Sequence, residues 1–282
     1  MLIVRAAVQA DLEPVRSIAD SYGNLASWPQ RPDYLDHELA TATLAVCEEA
    51  GEVIGFGAVL RRAGIAHLAD LFVRRDRVGF GIGRAILARL LPPGADRVTF
   101  ASPDPRALPL YVSFGMLPLA PLLYLKGDRA AATLLPDPDV TLTDANQPTL
   151  RRLDRDASGR DRPEDLDFLR AANARGLTAR HGREIIGYGY CRLADDPEHG
   201  SPSAYLGPVG ARSEADAVRT VTALLRWSAE HATQMTIPVF GPHPATAIML
   251  ASHFRVKDID TYMASRDGLI DLASYCPSME LG

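Results

Sequence analysis

Apolar positions along the chain change their spacing repeatedly, and the changes mark out elements. Residues 2–8 are a β-prone run. From Asp11 to Tyr22 the apolar residues Leu12, Val15, Ile18 and Ala19 fall at helical spacing behind an aspartate able to cap them. Residues 43–48, 53–61 and 66–73 are three strand-like runs, separated by Glu49-Ala-Gly-Glu and Arg62-Ala-Gly, which have hairpin length. A glycine-rich stretch follows, then an apolar helical run to about residue 91, a β-branched and aromatic run at 96–102, and a helix over 106–114. This order predicts an α/β (mixed α+β) class, with a mixed, mostly antiparallel sheet flanked by helices.

Between Lys126 and Asp139, Pro136 and Pro138 flank an aspartate and interrupt any regular element, which predicts a boundary. The pattern then restarts. Strand-like runs at 140–143, 184–193, 204–209 and 236–240 are interleaved with helical runs at 147–157 and 214–231, the last with Val218, Val221 and Leu225 on one face. A repeated order of elements predicts duplication: one domain over 1–128, a linker over 129–139 and a second domain over 140–282.

Composition narrows the function classes. With 282 residues, 47% of them hydrophobic, the chain is long enough for two buried cores. No run reaches the roughly eighteen uncharged apolar residues of a membrane helix, and the amino-terminal stretch lacks the features of a signal peptide. No membrane association is expected. Cys47, Cys191 and Cys276 are scattered and odd in number, which fits a reducing cytoplasm better than a disulfide framework, and none has metal-ligand spacing. No metal is expected. A net charge of −5 argues against a nucleic-acid partner, and leaves open whether it steers a cationic substrate or only aids solubility.

The chemistry concentrates in Val73-Arg-Arg-Asp-Arg-Val-Gly-Phe-Gly-Ile-Gly-Arg84. Gly79, Gly81 and Gly83 allow tight turning and close approach of a ligand, and the helix that follows offers unpaired N–H groups and a positive dipole end. Arg74, Arg75, Arg77 and Arg84 surround them, against Asp76 alone of opposite sign nearby in sequence. A pyrophosphate-like anion is the expected ligand. A Walker loop would need Gly-Lys-Ser or Gly-Lys-Thr, and a dinucleotide fingerprint a third glycine that is missing here. Downstream lies Asp104-Pro-Arg-Ala-Leu-Pro-Leu-Tyr111-Val-Ser-Phe-Gly-Met.

These two segments resemble the GNAT superfamily of N-acetyltransferases, whose coenzyme loop follows a strand ending in Val and runs Gln or Arg, Gly, any, Gly, any, Gly or Ala. Val78 departs from that pattern, as do Asp104, where Asn is usual, and Met116, where Phe is usual. The resemblance implies two tandem GNAT-like domains, with acetyl-CoA as co-substrate of the first. It implies that Leu71, Phe72 and Val73 line the pantetheine arm, in a wedge between the strand ending at Val73 and the one ending at Ser102. Val78, Gly79, Phe80, Gly81, Ile82, Gly83 and Arg84 would hold the pyrophosphate, and Asp104 would join the cofactor-binding set. A main-chain N–H near Phe72 would polarise the thioester carbonyl, and Tyr111 would protonate the departing thiolate. For the base that frees the acceptor amine, Asp70 is preferred to His67, the two being expected on opposite faces of their strand because their separation is odd. Glu48 or a residue of the second domain remains an alternative. The acceptor would be a primary amine of a small molecule or protein, bordered by residues 23–40, including Trp28.

The second half resembles the carboxy-terminal domain of tandem acetyltransferases through Leu153-Asp-Arg, Gly159-Arg-Asp-Arg, Gly187-Tyr-Gly-Tyr with Arg192, Leu206-Gly-Pro-Val and His253-Phe254. Its segment Gly210-Ala-Arg-Ser-Glu-Ala-Asp puts carboxylates where phosphate would sit, so it reads as a degenerate copy that walls the acceptor pocket or forms a homodimer surface, with a second active site as the rival reading. A non-catalytic acyl-CoA sensor or interaction module is the alternative for the whole chain.

Overall fold

The computed structural model describes residues 2–195 and 200–282, and the chain divides into two compact units. The first holds the chain through Phe100 together with Asp104–Pro118 and Met263–Arg266. The second holds Ala101–Pro103, Leu119–Tyr262 and Asp267–Gly282.

In the first unit the elements are β1 (Leu2–Ala6), α1 (Leu12–Asp20), α2 (Tyr34–Thr41), β2 (Thr43–Glu49), β3 (Glu52–Arg62), β4 (Ile65–Val73), α3 (Ile82–Leu90), β5 (Asp96–Ala101) and α4 (Ala107–Val112). The strands pair in chain order, antiparallel from β1 to β4 and parallel between β4 and β5. The two hairpins turn on residue pairs with positive φ, Ala50-Gly51 and Ala63-Gly64, as two-residue loops require. α3 lies against β3 where Gly55 and Gly57 stand: a Cβ on Gly57 would come within 2.9 Å of Ile86 Cγ2 and 3.0 Å of Leu90 Cδ1. Glycine therefore sets the depth at which the helix seats. Ser265, far along the chain, completes the edge beyond β5: its N–H donates to Arg97 O at 2.9 Å, and its Oγ accepts from Arg97 N at 3.0 Å.

The second unit takes most of β6 (Leu117–Asp128), then α5 (Arg129–Thr133), β7 (Thr141–Asp144), α6 (Gln147–Ser158), α7 (Pro163–Ala171), β8 (Arg175–His181), β9 (Glu184–Asp195) and β10 (Pro202–Ala211). It continues with α8 (Glu214–His231), β11 (Gln234–Phe240), α9 (Ala245–Ala251), β12 (Arg255–Ala264) and β13 (Tyr275–Cys276). Here the strand order runs β12-β6-β11-β10-β9-β8-β7, with β13 on β10. The construction of the first unit recurs: Gly187 and Gly189 of β9 let α8 approach, a Cβ on Gly189 falling 2.4 Å from Leu224 Cδ1. The core of this unit gathers Leu206, Val221, Leu224, Ile237 and Phe254, and it includes Ala131 and Ala132 of α5. The expected mixed class, largely antiparallel and flanked by helices, is the architecture observed. β6, α5, α7, β8, α9, β12 and β13 had no reading in the sequence.

His243, 2% exposed in the turn after β11, accepts from Ala245 N–H through Nδ1 at 3.2 Å, while its Nε2 has no hydrogen-bond partner among the described residues. Burial pushes its pKa down to about 4, with nearby Asp271 opposing the shift. A folded pKa below the unfolded value means that stability is complete above about pH 6.5 and is lost as pH falls towards 4. We expect urea unfolding at pH 7 and pH 4.5 to show a loss on the order of 2 kcal/mol in the wild type that is absent from His243→Asn.

Candidate active site

β4 and β5 run together for four residue pairs, Ile65 opposite Asp96 to Leu68 opposite Thr99, and then part. Thr99 Oγ1, 2% exposed, donates to Leu68 O at 2.9 Å at the last pair. Immediately beyond, β4 carries an extra residue: Leu68 pairs with Val59 but Asp70 with Ala58, so Ala69 is bulged. On the β3 side, Arg74 N donates to Ile54 O at 2.8 Å, which makes 74/54, 72/56 and 70/58 the hydrogen-bonded pairs of the antiparallel ladder. The N–H and C=O groups of Leu71 and Val73 therefore face the opening left by β5. β4 and β5 part beyond Leu68 and Thr99, and the register turns the amides of Leu71 and Val73, on either side of Phe72, to that opening.

The bulge also reverses a sequence expectation. Paired residues in a sheet share a face, and β3 presents Gly55, Gly57 and Val59 to α3. Their partners Val73, Leu71 and Leu68 lie on that side, whereas Phe72, Asp70 and His67 lie on the other, opposite Phe56, Ala58 and Leu60. Asp70 and His67 thus share a face, because the residue inserted at Ala69 shifts the parity that an odd separation implied. Both are buried, at 5% and 4% exposure. Leu68 is on the helix side.

The glycine loop is as open as its sequence implies. Gly79 and Gly81 have φ of +92° and +78°, and a Cβ built on either would meet no atom within 4 Å. Gly81 is the residue before α3, whose first turn has no side-chain cap and no acidic residue. Its amides are available to an anion. Gly83 differs: it lies in α3, and a Cβ there would touch Leu110 Cδ2 at 3.4 Å, so its smallness serves the approach of α3 to α4. Val78 is half-buried and Phe80 is 71% exposed.

The arginines are more occupied than sequence proximity suggested. Arg74 is held by Asp76 at 2.7 Å and Glu52 at 3.1 Å, and Arg77 by Glu49 at 3.2 Å and Asp76 at 3.3 Å. Glu49 and Glu52 are distant in sequence and were not counted. Arg75 donates to Ser21 O and stacks on the Tyr22 ring at 4.4 Å, and exposed Arg84, at the start of α3, lies over the Phe114 ring at 5.9 Å.

Asp104 and Tyr111 are both brought to α4. The Asp104 carboxylate accepts from Arg106 N, Nε and Nη2 at 2.9, 2.8 and 2.5 Å, and the Arg106 bond holds its pKa below the usual carboxylate range. Asp104 thus shapes the start of α4. Tyr111 is 8% exposed, in a helix whose Leu110 Cδ2 would lie 3.4 Å from a Cβ on Gly83 of α3. Tyr22 was missed by sequence reasoning. Its hydroxyl donates to Val73 O at 2.7 Å and its ring packs on Phe72 at 5.2 Å, so the end of α1 is fastened to the end of β4. No spacing in the sequence announces that contact. Within residues 23–40, Trp28 is buried near Tyr34, and Asp33 caps α2 while accepting from Arg16.

Three comparisons bear on this geometry. Residues 12–116 match the model of the Acetyltransferase (GNAT) family. No curated protein sequence is close enough to match. Among solved structures, a putative acetyltransferase from Pyrococcus horikoshii covers 100% of this chain and 96% of its own, with 17% identity and a TM-score of 0.73. A tandem GNAT protein from the clavulanic acid biosynthesis pathway covers 95% of this chain and 100% of its own, with 16% identity and a TM-score of 0.60. A GCN5-related N-acetyltransferase from Anabaena variabilis covers 94% of this chain and 72% of its own, at 13% identity and a TM-score of 0.62. At such identities the likeness is one of fold.

The bond from Thr99 to Leu68 marks where the ladder stops, and removing it leaves a buried carbonyl short of one partner. Thr99→Val should lower stability by about 1–2 kcal/mol in urea unfolding, with no loss of secondary structure by circular dichroism.

Proposed function

We propose, from the match of residues 12–116 to the Acetyltransferase (GNAT) family model, that the protein is an acetyl-CoA-dependent N-acetyltransferase. Family and fold support acyl transfer to an amine in general. The finer reading is transfer of an acetyl group to a primary amine of a small molecule or a protein, by direct attack on the thioester. The observation that carries it is the parting of β4 from β5 beside an uncapped, glycine-rich helix start.

The residues fit the coenzyme on physical grounds. Open space at Gly79 and Gly81 and the free first turn of α3 suit a diphosphate, and the unpaired edge of β4 suits an amide-bearing arm added as a strand. When bound, acetyl-CoA supplies the thioester that is attacked. In this reading the Leu71 N–H, which is turned away from β3, would hold the carbonyl oxygen as negative charge grows on it, a contact worth roughly 3 kcal/mol in comparable sites. Asp70 is the group assigned to receive the proton of the acceptor amine, directly or through water, because an alkylammonium of pKa about 10.4 is no nucleophile until it loses that proton. Tyr111 holds a proton at Oη for the departing sulfur. The proposal includes no metal and assigns the second unit no catalysis. It also places the protein in the cytoplasm, where its three buried thiols stay reduced.

Acetyl-CoA turnover with a panel of amines, read as free thiol released, tests the activity. Binding of coenzyme with no thiol released from any amine would favour a sensor instead. Gly81→Glu, which places a carboxylate and a strained left-handed residue in the loop, should abolish coenzyme binding in calorimetry. Tyr111→Phe should lower kcat by about a hundredfold with the coenzyme Kd unchanged, and an unaltered kcat removes Tyr111 from the mechanism.

A further inference from the structure

The second unit repeats the geometry of the wedge up to one point. β10 pairs in parallel with β11 only at Ser203, Ala204 and Tyr205, and between Leu206 and Val209 it carries one residue more than its partner β9. In the first unit, too, the parallel ladder ends just before the bulge. Past the bulge, Arg212 N donates to Ile186 O at 3.1 Å, and the alternation of the ladder turns the main-chain groups of Val209 and Ala211 away from β9. They stand to β10 as Leu71 and Val73 stand to β4.

Here, however, the opening is filled. β13 pairs antiparallel with β10, with Val209 opposite Cys276 and Gly210 opposite Tyr275, and Ala211 N donates to Ser274 O at 3.0 Å. Pro277 passes so close that a Cβ on Gly207 would fall 2.4 Å from its carbonyl oxygen. A buried charged cluster fastens the segment. Arg162 grips Asp154 through Nε and Nη2 at 2.9 and 2.7 Å and donates to Tyr275 Oη at 2.5 Å. Tyr275 Oη donates to Gly282 O at 2.9 Å, and Arg162 Nη1 donates to the same oxygen. Arg162 and Asp154 are 2% and 1% exposed, so the cluster lies out of the reach of solvent screening.

The phosphate end of the cleft is closed as well. Only Arg212 and Ser213 separate β10 from α8, where residues 74–81 separate β4 from α3. Ser213 Oγ accepts from Asp216 N at 3.2 Å, and Glu214 and Asp216 occupy the first turn.

We propose that residues 271–282 are the resident occupant of a coenzyme-type cleft in the second unit, a tethered strand holding the main-chain positions that a pantetheine arm would need. The chain accordingly takes up one coenzyme, in its first unit, and the second cleft seats its own segment. This inference rests on reading the first wedge as a coenzyme site.

Calorimetry and hydrogen exchange on the full chain, with coenzyme A as probe, test it in wild type and Gly81→Glu. The expected result is one equivalent per wild-type chain and none in the variant, with the Val209 and Ala211 amides slowed about a hundredfold or more, equally with and without coenzyme. A second equivalent, or uptake by Gly81→Glu with faster exchange in residues 271–282, overturns the proposal. If the wild type takes up no coenzyme, the reading of the first unit fails alone. Exchange at Val209 and Ala211 then still decides: slow exchange sustains the occupied cleft and fast exchange refutes it.

Discussion

Two strands that run parallel and then separate leave main-chain N–H and C=O groups that no neighbouring strand can satisfy, and buried groups of this kind must find a partner. The first unit is built around that constraint. The bulge at Ala69 comes directly after the last pair with β5, so the groups of Leu71 and Val73 are turned to the opening while Asp70 and Phe72 stay locked to β3. Tyr22 supplies one of the missing partners, at Val73 O, from the end of α1. Gly55 and Gly57 let α3 sink onto β3, which fixes the free end of that helix close to the end of β4. Exposed amides and an uncapped helix end thus come from one set of backbone choices, on elements held by a packed core.

The second unit meets the same constraint with the chain's own backbone. It keeps the bulged strand and the glycine pair beneath its helix, yet its opening holds β13 and its strand-to-helix link is reduced to two residues. A site can be lost in this way without loss of fold. Each amide that would have met a ligand meets a carbonyl of the same chain, and each acidic side chain at the helix start stabilises the helix in place of a phosphate. The buried Asp154–Arg162 pair belongs to this solution, since the hydroxyl and carbonyl that complete its hydrogen bonds come from Tyr275 and Gly282. Taking away one partner of such a pair leaves a charge with no solvent to receive it.

Sequence periodicity carried β1 to β5, β7, β9 to β11 and the helices α1, α3, α6 and α8 because those elements bury one face each, and burial writes itself as spacing. The glycine-rich loop was legible because glycine takes the φ angles of Gly79 and Gly81 far more readily than residues with a Cβ. Three features of the two clefts were not legible, each for a physical reason. One inserted residue at Ala69 reversed the facing of His67 relative to Asp70, and a bulge has no obligatory residue type. The carboxylates beside Arg74 and Arg77 come from Glu49 and Glu52, brought near by strand pairing. β13 is two residues long, too short for any period to show, and it is defined by its partner strand alone.

Those ion pairs bear on how the loop recognises an anion. Exposed guanidinium–carboxylate pairs are worth little individually and are screened by salt, but a phosphate arriving at Arg74 or Arg77 must compete with carboxylates already in place. The N–H groups at the start of α3 have no such rival among the described residues, because none of their side chains caps that helix. Recognition then falls on oriented main chain and the helix dipole, which suit a diphosphate in one position better than a diffuse negative charge. The same logic disfavours inorganic phosphate: it gains the loop but not the β4 edge. On the proposed function, a ligand with a diphosphate at one end and an amide-bearing arm at the other gains both.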